Sequence, residues 1–475
     1  MQNRLAHPLF SSSGRRLSPH PVLVCLFLLL GSGAPLLLFP RAARSADSEA
    51  KTWRQQHLSI ENRTTVEQRI AGGDHDTDLY DHWYIRGGNL ADGRFDFYFS
   101  GRLHKDFDST SRSFADDLFV SSEDRNSHWQ EQLYQLYGDL HTADSNFGLR
   151  LGRQYITEAA ALHLDGIALR AFATKPLTFS LFAGQAVSYY SGIVDDWAGG
   201  LIISGRPWPG GRSRLSYVHY RDQGVDETDE QLALDFWQQL GDAVHSHGRM
   251  LVLDGDYQMA AADLSWFPTD KIDLSLHGEH WQGLGQEARP YSPLFGVLGE
   301  LEPYAYLAGR LTWAVAPWLS ISPGVSGRFV EDGDEDDTNR EYGHYDLTFS
   351  VTPRDRWTVS LTGEHWNVEG RDSFDGVTGE VEYRLADRGE IALGTAYLDY
   401  DFTLEPDFSF ALRPGDLEVA DGTTTRISPD VYTFFARAKY EINETFAIRM
   451  RGEIEDNSVE DDSIYRIRAT LITRF

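Results

Sequence analysis

The chain has 475 residues, 41% apolar, 24% charged and 13% aromatic, with 43 Lys+Arg against 72 Asp+Glu and a formal charge of −29. So large an acidic excess excludes nucleic acid as a ligand, because phosphate binding needs a basic face. Cys25 is the one cysteine, which excludes disulfide frameworks, thiolate metal centres and thioether-linked haem.

Residues 1–45 read as an export signal. Arg4, Arg15 and Arg16 make the front basic, an apolar run follows from Val22 to Phe39, and small residues appear around Ala42, Ala43, Ser45 and Ala46. Gly31, Gly33 and Pro35 interrupt the run, which disfavours a permanent membrane helix. Cleavage is expected at Ser45–Ala46. It leaves 38 Lys+Arg against 72 Asp+Glu, a charge of −34, and removes Cys25. Residues 46–92 are less periodic and are expected to form an N-terminal periplasmic extension or an extra hairpin turning at Gly72–Asp78.

From residue 93 to 475 no apolar stretch approaches the ~20 residues of a membrane helix. Alternation over about ten residues recurs instead, broken by turn residues, which is the pattern of a strand with lipid on one face and water on the other. Arg94–Lys105 sets Phe95, Phe97, Phe99 and Leu103 against Asp96, Tyr98, Ser100, Arg102 and His104. Asn146–Tyr155 repeats the pattern with one exception, Arg153, which falls on the apolar face where it can snorkel to headgroups. Gly248–Phe267 reads either as one long strand or as a tight hairpin through Asp254-Gly255. A segment at Pro268–Trp281 recurs at Pro353–Trp366 and, more loosely, at Asn443–Glu453, with glycines Gly278, Gly363 and Gly452 in register. Short connections such as His141–Asn146 and Pro353–Arg356 alternate with longer ones such as Asp106–Trp129, Gln282–Glu302 and Asp401–Pro429. These features predict an all-β fold, a closed antiparallel transmembrane β-barrel of about 20 strands (16–22, even) beginning near Arg94.

The final segment carries Tyr465, Ile467, Ala469, Leu471, Thr473 and Phe475 on one face, with Arg466, Arg468, Thr470 and Arg474 between them. A last strand ending on a C-terminal aromatic resembles the Gram-negative outer-membrane β-barrels, porins among them. That resemblance implies residence in the cell outer membrane, contact with its lipid, and recognition by the barrel-insertion machinery through Tyr465, Ile467, Leu471 and Phe475. It leaves homo-oligomerisation open. A soluble all-β protein is the rival reading, but it gives no reason for the terminal Phe475.

On the last three strands the lumen-facing set includes Arg437, Lys439, Arg449, Arg451, Arg466 and Arg468, a basic ladder on one wall. Inward acids are expected at Asp96, Asp273, Glu279, Asp346, Glu364, Glu380, Glu382 and Glu453 and opposed to the ladder, giving a transverse field that selects ions. The pairs His280–Trp281 and His365–Trp366 read as interface girdle at the long-loop end, and Trp313, Trp318 and Trp357 as girdle at the other. A metal role for His277 and His280 is conceivable, but three apart on a strand they would point one to the lumen and one to lipid, so the girdle reading is preferred. The acidic run Glu331–Asp337 lacks the Gly and Glu of a calcium loop, with Asp337 sixth and Gly343 twelfth from Asp332; Asp74–Asp78 reads likewise. No phosphate loop, nucleophile elbow or zinc-protease motif is present, and the chain calls for no enzyme activity, cofactor or metal. The sequence thus predicts a porin-like channel for passive diffusion of ions or small polar solutes. The alternative is a barrel sheathing a partner, such as a multihaem cytochrome, that would bring its own haem.

Overall fold

The computed structural model describes residues 57–475 apart from 72–73, 108–128, 143, 145, 158, 160–161, 175, 188–195, 223–226, 283–302, 331–340, 369–371, 405–424 and 459–462. The expected signal and the acidic run at 331–337 lie outside the described residues. No helix among the described residues is long and apolar enough to cross a membrane; the chain crosses with strands.

In chain order these are β1 (Leu58–Ala71), β2 (Asp74–Asn89), β3 (Phe95–Asp106), β4 (Trp129–His141), β5 (Phe147–Ile156), β6 (Leu162–Thr174), β7 (Leu177–Ala186) and β8 (Trp197–Gly205). They continue as β9 (Gly211–Asp222), β10 (Glu227–Leu240), β11 (Val244–Leu253), β12 (Asp256–Thr269), β13 (Ile272–Trp281), β14 (Tyr304–Ala316), β15 (Leu319–Val330) and β16 (Tyr342–Arg354). The remainder are β17 (Trp357–Val368), β18 (Asp372–Arg384), β19 (Gly389–Leu404), β20 (Thr425–Ile427), β21 (Asp430–Glu441), β22 (Phe446–Asn457) and β23 (Ile464–Arg474). β20 pairs only with the far end of β19, at Phe402–Leu404, so the wall has 22 strands. Each is antiparallel to its neighbour, and the sheet closes where β1 pairs with β23 from Glu61↔Arg474 to Ile70↔Tyr465. Closure leaves no edge strand, so the ladder hydrogen bonds are made within the protein, a requirement for backbone in hydrocarbon.

The count exceeds the expected 20 because Leu58–Asn89 adds one hairpin before β3. Its alternation is hidden from a hydropathy reading by polar residues on the outward face. Asn62 and Thr64 donate to Asp81 at 2.6 and 2.9 Å, and Trp83 donates to the same carboxylate at 2.7 Å. Gly248–Phe267 belongs to a hairpin, β11–β12, whose turn sets Asp254 and Gly255 at φ 52° and 93°. Two successive positive φ values match a type I′ turn, the form whose twist suits two-residue hairpins.

At one rim every connection between wall strands has five residues or fewer, whereas the opposite rim carries those spanning 107–128, 282–303, 331–341 and 405–429. Along the strands, one parity presents large apolar side chains to the outside. Leu307, Leu393, Phe434, Leu361 and Leu181 are all more than half exposed, a surface tolerable only against lipid. Trp313, Trp318 and Trp357 are also outward and exposed, close to the short-turn rim. Arg153 is outward too, but it pairs with Asp165 on β6 at 2.6 Å and donates to the Leu133 carbonyl at 3.2 Å.

The opposite parity faces the lumen and is not uniform. From β5 to β11 it carries a packed apolar patch of Ile156, Leu162, Leu164, Phe182, Ile202 and Val218, all under a tenth exposed. Strands approach closely there. Gly166 and Gly184 are direct partners, and a Cβ on Gly166 would stand 2.2 Å from the Ala183 carbonyl oxygen. From β13 round to β3 the lumen face is mostly charged and hydroxylic.

Candidate functional site on the inner wall

Pairing register puts the expected basic residues in one row. Arg437 is the cross-strand partner of Arg451, and Arg451 of Arg468. Lys439 partners Arg449, and Arg466 lies one inward position from Arg468. All six are exposed, on the parity opposite that of outward residues such as Phe434. Neighbouring strands ~4.8 Å apart bring such like charges close enough to repel, so counter-charges are needed nearby.

Those counter-charges stand beside the ladder rather than across from it. Arg437 binds Glu380 at 2.7 Å and approaches Glu382 at 3.6 Å. Glu453 accepts from Arg451 at 2.7 Å and Arg466 at 3.1 Å, and Arg468 pairs with Glu67 on β1. The expected separation of charge into opposed walls is therefore replaced, on this side, by an interleaved mosaic. The cause is the β18–β19–β21 register, which sets Glu380 and Glu382 within reach of Arg437 across Gly394 and Ala392. Among the described residues neither Lys439 nor Arg449 makes an ion pair.

The other expected acids lie farther round. Asp96 faces His141 at 3.2 Å, Glu364 faces His344 at 3.5 Å, and Glu279 accepts the Tyr304 hydroxyl at 2.5 Å. Asp346 holds Arg310 at 2.7 Å. Asp273, on β13, is exposed at the short-turn rim.

The histidine–tryptophan pairs are a correction. His280 and His365 point outward, but Trp281 and Trp366 point into the lumen. Trp281 is 4% exposed, and Trp366 stacks on His344 with centroids 4.1 Å apart and donates to Glu364 at 3.2 Å. Adjacent residues on a strand face opposite ways, so a His-Trp dipeptide cannot be all girdle. Sequence reading had also missed the inward aromatics beside Trp366: Tyr342 at 5.1 Å, Phe374 at 6.4 Å, and Tyr400 stacked on Phe374 at 4.8 Å. The signal available was the shared parity of Trp366 with Glu364.

Of the acidic stretch 74–78, Asp76 and Asp78 face inward and join Asp106 in a carboxylate cluster. The Arg69 guanidinium already occupies it, bound to Asp76 and, at 3.0 Å, to Asp78, while His104 lies 2.6 Å from Asp78. Such internal pairing compensates burial without an added ion.

Tyr465, Ile467 and Leu471 occupy the outward parity of β23, and Phe475 is 58% exposed at the short-turn rim. Phe475 exchanges both backbone hydrogen bonds with Ile60, at 2.9 and 3.1 Å.

No family model matches the chain, and no curated protein matches its sequence. Among solved structures it is similar to the Pseudomonas aeruginosa outer membrane protein OpdK, at 8% identity over 88% of this chain and 99% of that one, with a TM-score of 0.43. Pseudomonas aeruginosa OccK3 gives 10%, 88%, 95% and 0.41, and Acinetobacter baumannii OccAB4 8%, 88%, 97% and 0.41. At these scores the likeness adds nothing to what pairing register and outward apolar surface already establish.

Proposed function

We propose that this chain is an outer-membrane porin-like channel, exported with residues 1–45 removed, through which ions and small polar solutes diffuse passively. The observation that carries this reading is the inner wall of β18–β23. Six lumen-exposed Arg and Lys side chains stand among carboxylates, inside a wall whose outer face is apolar. Fixed charges of both signs lining a wet passage bias which ions enter while binding none tightly. Lys439 and Arg449 are the two bases of this row that no carboxylate reaches within ion-pair distance among the described residues, although Glu390 is the cross-strand partner of Lys439. Planar-bilayer recording under a salt gradient tests it. The wild-type barrel conducts in steps, and Arg466→Glu with Arg468→Glu moves the reversal potential toward cation preference. Unchanged selectivity in that double variant removes the ladder from the reading, and absence of conductance removes the channel.

A second reading is favoured by width. Strands ~4.8 Å apart and tilted ~40° give a 22-strand wall a perimeter of about 140 Å, or roughly 44 Å between backbones if circular. Such a bore can house a folded partner, for instance a multihaem cytochrome. A coloured haem protein that co-purifies with the barrel favours the sheath, and a colourless conducting preparation favours the channel.

A further inference from the structure

We infer that the short-turn rim between β17 and β21 holds one phospholipid by its headgroup, and that the headgroup is phosphoethanolamine. This goes beyond general contact with lipid and rests on the membrane setting rather than on conduction. A cavity of about 410 Å³ opens there, lined by Arg356 from the β16–β17 turn, Asp387 and Arg388 from the β18–β19 turn, and Tyr383 and Tyr440 from the flanking strands. The turn that carries two of these residues is held in shape. Leu385 N–H donates to the Gly389 carbonyl at 2.7 Å, Arg388 N–H donates to the Leu385 carbonyl at 3.2 Å, and Ala386 adopts φ 49°. Tyr383 and Tyr440 lie on the outward parity, where Tyr383 packs on Trp357 with centroids 4.6 Å apart and Tyr440 is 40% exposed. Gly389, on the strand between them, is the cross-strand partner of Tyr440 on that same face. A Cβ at Gly389 would stand 2.1 Å from the Lys439 carbonyl oxygen, so close strand approach keeps the position bare and the gap between the rings open.

Among the described residues Arg356, Arg388 and Asp387 make no ion pair, so the cavity presents two guanidiniums and one carboxylate that the protein leaves uncompensated. Guanidinium forks suit phosphate oxygens, and Asp387 suits a primary ammonium on the same headgroup. Phosphoethanolamine supplies both charges, joined by an ethylene link. Phosphoglycerol leaves the Asp387 carboxylate without a cation, and a quaternary choline has no N–H to give it. The acyl chains also have a path. Ala438 stands between Ile391 and Met450, and Ala436 between Leu393 and Gly452, all on the outward parity. Ile391, Leu393 and Met450 are 40%, 59% and 37% exposed, so the two alanines floor a shallow groove that leads from Tyr440 into the apolar band. Tyrosine at such a boundary spans both zones, with its ring in hydrocarbon and its hydroxyl among headgroups. Short turns face the periplasm in barrels of this kind, which puts the site in the phospholipid leaflet.

The test titrates delipidated barrel in detergent with phosphatidylethanolamine, phosphatidylglycerol or phosphatidylcholine of matched acyl chains, read by native mass spectrometry. Wild type should take up one phosphatidylethanolamine at least ~10-fold more tightly than either competitor, since one hydrogen bond to a charged group is worth about that factor. Arg356→Gln with Arg388→Gln should lower that affinity about 10- to 100-fold, and Asp387→Asn should erase the preference over phosphatidylglycerol. Arg206→Gln, on the turn after β8 and outside the cavity, should change nothing. If the double variant fails to show the heat-modifiable mobility of a folded barrel, displacement of the bound lipid from wild type by glycerophosphoethanolamine, and not by glycerophosphoglycerol, replaces it. Wild-type affinity in the double arginine variant overturns the site, as does equal uptake of the three lipids by wild type. Tighter uptake of phosphatidylglycerol than of phosphatidylethanolamine overturns the headgroup assignment. Conductance is read separately, so a conducting barrel with no lipid preference sinks this inference alone.

Discussion

Whether lipid or water meets a given parity can be tested at one pair of adjacent residues. On β17, Leu361 is outward and 51% exposed, and Ser360 points inward with Glu380 as its cross-strand partner. At ~3.3 Å per residue and a tilt of ~40°, Leu361 stands roughly 10 Å above Trp357 at the short-turn rim, near the middle of an apolar band ~25 Å tall. Arginine at such a depth on the lipid face costs about 2–4 kcal/mol, or roughly 30- to 700-fold in the folding equilibrium. Arginine at position 360 reaches lumen water and meets Glu380, so Ser360→Arg should cost less than about 1 kcal/mol. Reversible urea unfolding in lipid vesicles, followed by tryptophan fluorescence, measures both. An equal or larger cost for Ser360→Arg would refute the assignment of faces.

Further outcomes follow from other parts of the wall. Brominated lipid should quench Trp313, Trp318 and Trp357 and spare Trp281 and Trp366, as read from single-tryptophan variants; strong quenching of Trp366 would return it to the girdle. Gly255→Val, at φ 93°, should destabilise the barrel by about 1–3 kcal/mol, measured by the same unfolding assay, whereas Ser246→Val, outward near the start of β11, should not. In the turn after β4, the Thr142 hydroxyl and then Asn146 donate to Asp144 and hold its carboxyl below the ordinary 3.8. A depressed folded value stabilises above the unfolded one and loses that contribution as pH falls through the folded one. The stability gap between wild type and Asp144→Ala should therefore be present at neutral pH, shrink below about pH 3.8, and vanish once the carboxyl is protonated in both states.

Much of the fold was legible because a period of two is written plainly wherever lipid sets one parity. Tyr345, Leu347 and Phe349 on β16 and Phe95, Phe97 and Phe99 on β3 needed no tertiary information. β1 and β2 were obscure because Asn62, Thr64 and Asp81 satisfy one another on the outward face, and hydropathy registers only their polarity. Parity was equally readable along strands, which is why Arg437, Arg451 and Arg468 could be put on one face, where register makes them successive cross-strand partners. Partner identity was not. That Arg468 would meet Glu67, some 400 residues earlier, or Arg437 meet Glu380, depends on register and closure, which alternation alone does not fix.

Closure has a consequence for assembly. The seam joins the first and last strands through Thr65–Thr470, Glu67–Arg468 and Glu61–Arg474, so the final zipper spans nearly the whole polypeptide. Until those ends meet, two long ribbons of unpaired amides and carbonyls stand open, and no shorter piece of the sheet can hide them from hydrocarbon. Completion is thus a single late event, and a scaffold that guards both ribbons must let go of them together.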